Sequence, residues 1–444
     1  MYLEFFSKLA LILLVFLLPL ETRWIFDQAD LRGSPFEYGT GALYLTDILL
    51  FISVFLTVLW KWRNNGSEKF SFIYFLIVGF GLMSLAGIGQ AEDRKIALYA
   101  VMRLWEGLIL WWLIQNNPAK PLFLIMAFIG SAMFEAAWGI EQFFFQIVPA
   151  NKWLGEAFHS ASILGDSVLQ TSSGRFLRAY GTLPHPNILG GLLAAAILLL
   201  SGLLANQYKQ PNKSQSNFYS LLTTHYLLLW SGLIVLLFGL FFSFSRSAWL
   251  ALGIGILFGG IWMIAVKQKR VIMGFVFVIV VCAAMLVLIF PESLSRFSQN
   301  QSLEILSVSE RVREYDDAQI IVREKPFVGI GINQYVKELQ NIYPSFPAWK
   351  IHPIHNIYLL ILSELGIIGL LIFIIIIAWH LSFLKINSPP LLIWSTAAAI
   401  SLLAIGLFDH YLWSLHFGIL LFWLILGINH RLASESDQKG LDNN

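Results

Sequence analysis

Two polar stretches sit at the edges of long apolar runs. His352-Pro353-Ile354-His355-Asn356-Ile357-Tyr358 precedes one, and Phe242-Ser243-Phe244-Ser245-Arg246-Ser247-Ala248-Trp249 divides two others. An ionisable side chain at the lip of a membrane helix costs free energy if it enters lipid. It therefore faces protein or water and marks a candidate site. Arg175, Arg178, His185 and Asn187 lie before another apolar run, and Arg311, Arg313, Arg323 and Lys325 lie in a charged connection. Arginines match phosphate oxygens with two parallel donors and keep their charge at any relevant pH. A neutral His beside them can act as general base on a hydroxyl. The arginines can stabilise a departing diphosphate, with no metal or other cofactor required. The expected catalytic residues are His355, Arg246 and Arg311. Arg178, His185, Asn187, Arg313, His352 and Asn356 are expected to bind substrate.

Each of these residues also has a plainer reading. Arg246 can anchor a span at the headgroups, and Asn356 can cap a helix that starts after His355. His352 can be structural, and His185-Pro186-Asn187 can be a turn with proline at the first helical position. Arg311 and Arg313 cannot both face one site if they share a helix, because i and i+2 point apart. Asp409 and His410 read as a local pair at a turn. Asp47, Glu135 and Glu141 read as buried packing groups, and Gly366 and Gly369 as points of close helix approach.

The elements that must position these residues are membrane spans. The 444-residue chain is 57% hydrophobic and 13% charged, with mean hydropathy +0.70. Soluble domains carry nearer a quarter charged residues. The expectation is an all-α polytopic membrane protein of about twelve spans, folding as one membrane domain over 1–444. The apolar runs are 5–20, 43–60, 70–89, 96–114, 122–147, 187–205, 223–243, 247–266, 271–290, 354–378, 390–408 and 411–429. The single cysteine, Cys282, allows no intramolecular disulfide and no thiolate metal site.

Lys61, Arg63, Lys69, Lys120, Lys209, Lys213, Lys267, Lys269, Arg270, Lys385 and Arg431 all fall on one side of this layout. The positive-inside rule makes that side cytoplasmic, with both termini on it. Arg94 and Lys95 oppose the rule without reversing it. Two long connections, 149–186 and 291–353, fall on the outer face, the second between spans nine and ten. Short helices are expected at Ser309–Glu324 and Gln334–Gln340. Loops this long are usually functional. The candidate residues all lie at the depth of this outer face.

The sequence resembles the O-antigen ligase and polymerase superfamily. The resemblance rests on His355-Asn356 followed by nine residues, Gly366 and Gly369, and on Ser245-Arg246-Ser247-Ala248-Trp249-Leu250-Ala251-Leu252. It also rests on Arg311-x3-Tyr315-x2-Ala318 before Lys325-Pro326-Phe327-Val328-Gly329-Ile330-Gly331, and on Gly181-x3-His185-Pro186-Asn187. Tyr315 stands where an aromatic, often Trp, is usual. The resemblance implies a GT-C-like membrane glycosyltransferase in a bacterial inner membrane, with its site on the periplasmic side. The implied donor is a glycan on undecaprenyl diphosphate. The acceptor would be a lipid A-core sugar, another glycan or a protein hydroxyl; no nucleic acid is expected. Carried over, the essential His is His355, the span-boundary Arg is Arg246 and the loop Arg is Arg311. A transporter for a lipid-linked anion is the competing class, but it would show repeated halves or broken helices at the midplane, and the unusual charges gather at one face.

Overall fold

The computed structural model describes residues 1–64, 71–171, 174–208, 224–265, 279–280, 284, 302–385 and 387–441. It is a helical membrane body. The helices are α1 (Tyr2–Leu17), α2 (Leu45–Arg63), α3 (Phe72–Gly87), α4 (Arg94–Asn116), α5 (Pro121–Phe145), α6 (Pro186–Tyr208), α7 (Thr224–Ser243) and α8 (Arg246–Ala265). They continue with α9 (Ser302–Glu324), α10 (Tyr335–Ile342), α11 (Ile357–Leu381), α12 (Pro390–Ile405), the single turn α13 (Tyr411–Ser414) and α14 (His416–Leu441). Among the described residues, eight helices are long and apolar enough to cross a membrane, and the apolar segments Leu227–Ser243 and Pro390–Ile405 are shorter. The expected span at 271–290 lies outside the described residues.

Helix α6 is the axis. Its whole apolar stretch is buried, whereas only 22% of that of α2 is. A helix that is apolar all round belongs inside, and α6 packs against α7, α8, α5 and α12. Small residues set its close approaches. A side chain at Gly190 would fall 2.7 Å from Ser245 Cβ, and one at Gly191 would fall 1.9 Å from Tyr411 Oη. These two glycines draw the start of α8, where Arg246 sits, and the α12–α14 junction onto the same end of α6.

Strands appear where the sequence suggested only loops. Between α1 and α2, Arg23–Asp27 pairs antiparallel with Gly41–Tyr44. A smaller pair, Asp30–Leu31 with Ser34–Pro35, lies within that hairpin. Its turn takes Arg32 and Gly33 into positive φ, the usual conformation for a tight hairpin turn. The Arg32 guanidinium then donates to the carbonyls of Gln340 and Tyr343 at 3.1 Å, and to that of Phe346. The hairpin is thus pinned to the connection that leads to His355. The loop after α5 holds two further hairpins, Ile147–Val148 with His159–Ser160 and Val168–Thr171 with Gly174–Leu177.

Gly366 corrects an expectation. It lies inside α11 with φ +67, breaking the helix, and a Cβ there would sit 2.3 Å from the carbonyl group of Phe327. The close approach is made by the loop after α9, not by a neighbouring helix. Ile330 and Gly331 donate backbone N–H groups to the carbonyls of Ser363 and Glu364, freed at that break. Glu141, expected to be buried, is exposed, whereas Glu135 is buried and accepts from Thr182.

Candidate active site

Helix α9 and the start of α11 form a carboxylate–imidazole pair. Asn356 caps α11 by accepting from the N–H groups of Tyr358 and Leu359 at 3.0 and 3.1 Å. The cap fixes the residue before it, His355, at the mouth of the bundle. On α9, Glu314, Asp317, Ala318 and Ile321 are buried on one face. Glu314 receives the His355 backbone N–H at 3.0 Å and reaches its Nδ1 at 3.0 and 3.1 Å. Burial pushes the Glu314 carboxyl up, but hydrogen bonds and charge from His355, with His352 behind, hold it below its usual range. Burial pushes His355 down, and its bond to Glu314 outweighs this and raises it. With Glu314 ionised, the His355 proton sits on Nδ1 and Nε2 keeps its lone pair. The imidazole remains 30% exposed, so that lone pair can meet a substrate.

His355 walls a cavity of about 610 Å³ that also takes Arg175, Arg178, Arg246, Arg311 and His185. Arg311 is three residues before Glu314 and shares its helix face, so one face of α9 supplies both the carboxylate and an arginine. Arg246 is carried there by the turn from α7 to α8, where Phe244 takes φ +47, uncommon for a residue with a side chain. Asp166 is the one carboxylate among the described lining residues, and it is bound to His159 at 2.8 Å and to the Ser160 N–H. Four guanidiniums against one such carboxylate give the cavity wall an excess of positive charge.

The remaining expected residues divide into scaffolding and outliers. Arg178 is 4% exposed and donates to Ser243 O, Ser167 Oγ and Asn187 Oδ1 at 2.7–2.8 Å. Asn187 passes the chain on, donating to Asp409 Oδ2 at 3.0 Å. Asp409 is therefore tied to α6 as well as to its neighbour His410. Burial, and after it the charge of Arg178, pushes His185 down to about 3. Its Nδ1 accepts the Asn187 N–H at 3.1 Å, so the ring proton is on Nε2 and can donate to an anion. Arg313, Asn356 and His352 are not brought to the wall of this cavity. Arg313 lies over the Phe346 ring and near Asp317, Asn356 is used as the cap, and His352 leans on Glu314 at 3.5 Å. Ligand atoms of Glu314, His352 and His355 lie within 4.8 Å of one another, close enough to hold a cation.

A second chamber, about 280 Å³, lies on the other side of His355, His185 and Asn187. Its walls include Glu21, Tyr38, Tyr44, Asp409 and His410. The ring centroids of His355 and His410 are 5.2 Å apart. Burial, with the charges of His355 and His352, pushes His410 well below its usual range. Glu314, Glu21 and Tyr38 escaped the sequence reading. The only signal for Glu314 was its spacing of three from Arg311.

Residues 231–374 match the family model for O-antigen ligase. The resemblance to the O-antigen ligase and polymerase superfamily therefore holds over the segment that carries Arg246, Arg311, Glu314, His355 and Gly366. It supports a membrane glycosyltransferase of the ligase or polymerase kind, acting with a lipid-linked glycan and a glycan or lipid acceptor in general terms. A comparison with curated proteins finds no match. Arg175, Arg178 and His185 lie outside the O-antigen ligase segment, as does the hairpin after α1 that walls the second chamber, so both spaces are built jointly by it and by the preceding half of the chain.

Proposed function

We propose that this protein moves an oligo- or polysaccharide from undecaprenyl diphosphate to an acceptor hydroxyl, as an O-antigen ligase does. The observation that carries the reading is the convergence of the His355–Glu314 pair and four arginines on one cavity at the end of the helix bundle. His355 Nε2 takes the proton of the acceptor hydroxyl as its oxygen bonds the anomeric carbon. The bond from that carbon to the diphosphate breaks, and Arg246 and Arg311, with Arg175, hold the departing charge. Glu314 keeps the imidazole in the required tautomer and stabilises it once protonated, the role a buried carboxylate has in hydrolase triads. Arg178 acts through Asn187 and Ser243, holding the ends of α6 and α7 in place.

On this reading the chain has about twelve spans in a GT-C-like arrangement. The site opens to the periplasmic side of a bacterial inner membrane and both termini are cytoplasmic. A polymerase of the same superfamily would run the same chemistry with a growing glycan as acceptor. Expression in a bacterial host lacking its own O-antigen ligase tests the proposal, read on a gel of extracted lipopolysaccharide. Glycan attached to lipid A-core, lost in His355→Ala, supports a ligase. Longer chains on the undecaprenyl carrier instead support the polymerase. Neither product, with protein acceptors also unmodified, would remove glycan transfer.

A further inference from the structure

The 280 Å³ chamber behind His355 is chemically unlike the arginine cavity. Among its described lining residues there are three carboxylates, Glu21, Glu37 and Asp409, and no Lys or Arg. Such walls offer a phosphate no guanidinium or ammonium group to pair with. Carboxylates and neutral imidazoles are partners for hydroxyl groups, and tyrosine rings offer flat apolar faces, so together they suit a polyol with an apolar face. At ~30 Å³ per water the space holds on the order of nine waters, which is room for one sugar ring.

Glu21 stands apart from the other two carboxylates. Glu37 is bound by Arg23 at 3.1 Å and by a second, shorter contact, and Asp409 accepts from Asn187 and His410. Glu21 is 9% exposed and its carboxyl hydrogen-bonds to no described residue. Burial pushes it up to about 7, against the pull of Arg23. Its carboxyl opens onto the chamber, so whatever fills that space, water or a ligand, supplies its hydrogen bonds. Its backbone is also held firmly. Gly155, at φ +76, presses on the Glu21 main chain where a Cβ would come within 2.2 Å, and Thr22 donates to Trp153 O at 2.6 Å.

We propose that this chamber is a subsite for one sugar ring of the glycan substrates, with the Glu21 carboxyl bonded to a ring hydroxyl. The proposal rests on the glycan-transfer reading for its place in the reaction, whereas sugar binding is measurable separately. His355 walls both spaces, so a ring here can present a hydroxyl to the base while a diphosphate occupies the arginine cavity. That geometry suits the acceptor's sugar; the donor's first sugar has the same chemistry.

The test uses the purified full-length chain in detergent, as wild type, Glu21→Gln and Glu21→Ala, with melting curves to establish that each is folded. Saturation-transfer NMR with methyl glucoside, methyl galactoside and methyl N-acetylglucosaminide reads sugar contact. At least one glycoside should give signal with wild type and much less with both variants. In transfer assays the variants should raise one KM about three- to ten-fold, the loss expected for a single hydrogen bond. A rise in acceptor KM assigns the acceptor sugar to the chamber, and a rise in donor KM assigns the donor sugar. No glycoside signal from wild type, or folded variants with unchanged signal and KM, would overturn the subsite. A Glu21-dependent signal from a protein without transfer activity would keep the subsite and overturn the transfer reading instead.

Discussion

Replacing Glu314 by Gln keeps the shape beneath His355 but removes a charge and an acceptor. In the native chain the two carboxylate oxygens take the Nδ1–H at 3.0 and 3.1 Å and the His355 backbone N–H at 3.0 Å. A Gln offers one carbonyl oxygen, and its NH2 must then face one of those two donors. Either that donor goes unmet, or the imidazole moves its proton to Nε2 and loses the lone pair the reaction needs. A hydrogen bond to a charged group contributes about 1.5–3 kcal/mol, and each ~1.4 kcal/mol is tenfold in rate. The lost bond alone predicts a kcat about 10- to 100-fold lower. The wrong tautomer carries it towards the ~10,000-fold loss known for the analogous change in a serine protease. The assay is initial rate against pH, with purified protein and a lipid-diphosphate glycan. A protonated imidazole cannot accept a proton, so activity rises with pH through the His355 pKa, which Glu314 holds above 6.5. In Glu314→Gln that acid limb should move to lower pH while the plateau falls and the donor KM changes little. A variant with native kcat and an unmoved acid limb would refute the pairing of these two residues as a base.

Four further outcomes are expected. His355→Ala and Arg246→Ala should each abolish transfer at unchanged amounts of protein in the membrane, and near-native activity in either would remove that residue from the mechanism. Arg311→Lys keeps the charge but loses the two-pronged donor, so donor KM should rise about ten-fold; an unchanged KM would make Arg311 a solvated charge on α9 with no part in donor binding. EDTA should leave activity intact, while strong inhibition reversed by a divalent cation would reassign Glu314, His352 and His355 as ligands. Gly366→Ala forces a side chain into an extended positive-φ conformation that is essentially glycine-only, costing about 1–3 kcal/mol, and onto the Phe327 backbone at 2.3 Å. Its melting temperature should drop clearly, and a native-like melt would show that the break in α11 is not fixed by that contact.

The membrane helices were legible because each satisfies its backbone hydrogen bonds within a contiguous apolar stretch. His355 and Arg246 stood out because an ionisable group at such a boundary is costly, and Arg311 through the motif that carries the resemblance; all three line one cavity. Apart from its spacing of three from Arg311, nothing local singled out Glu314, one acid among several on a charged helix; its role comes from an imidazole 41 residues away. Arg178 shows the converse. As a sequence position it reads like a phosphate-binding arginine, but the packing of α6 against α7 commits it to Ser243, Ser167 and Asn187. Glu21 and Tyr38 sit in a short segment between the first two spans, with no periodicity and no motif. Only the hairpin docked by Arg32, and the loop closed over Glu21 by Gly155, turn that segment into the wall of a chamber. Hydropathy and boundary charge are properties of neighbouring residues, so the sequence alone determines the spans and their polar lips. Pairing, burial and enclosure depend on residues far apart in the chain, and those only the tertiary structure decides.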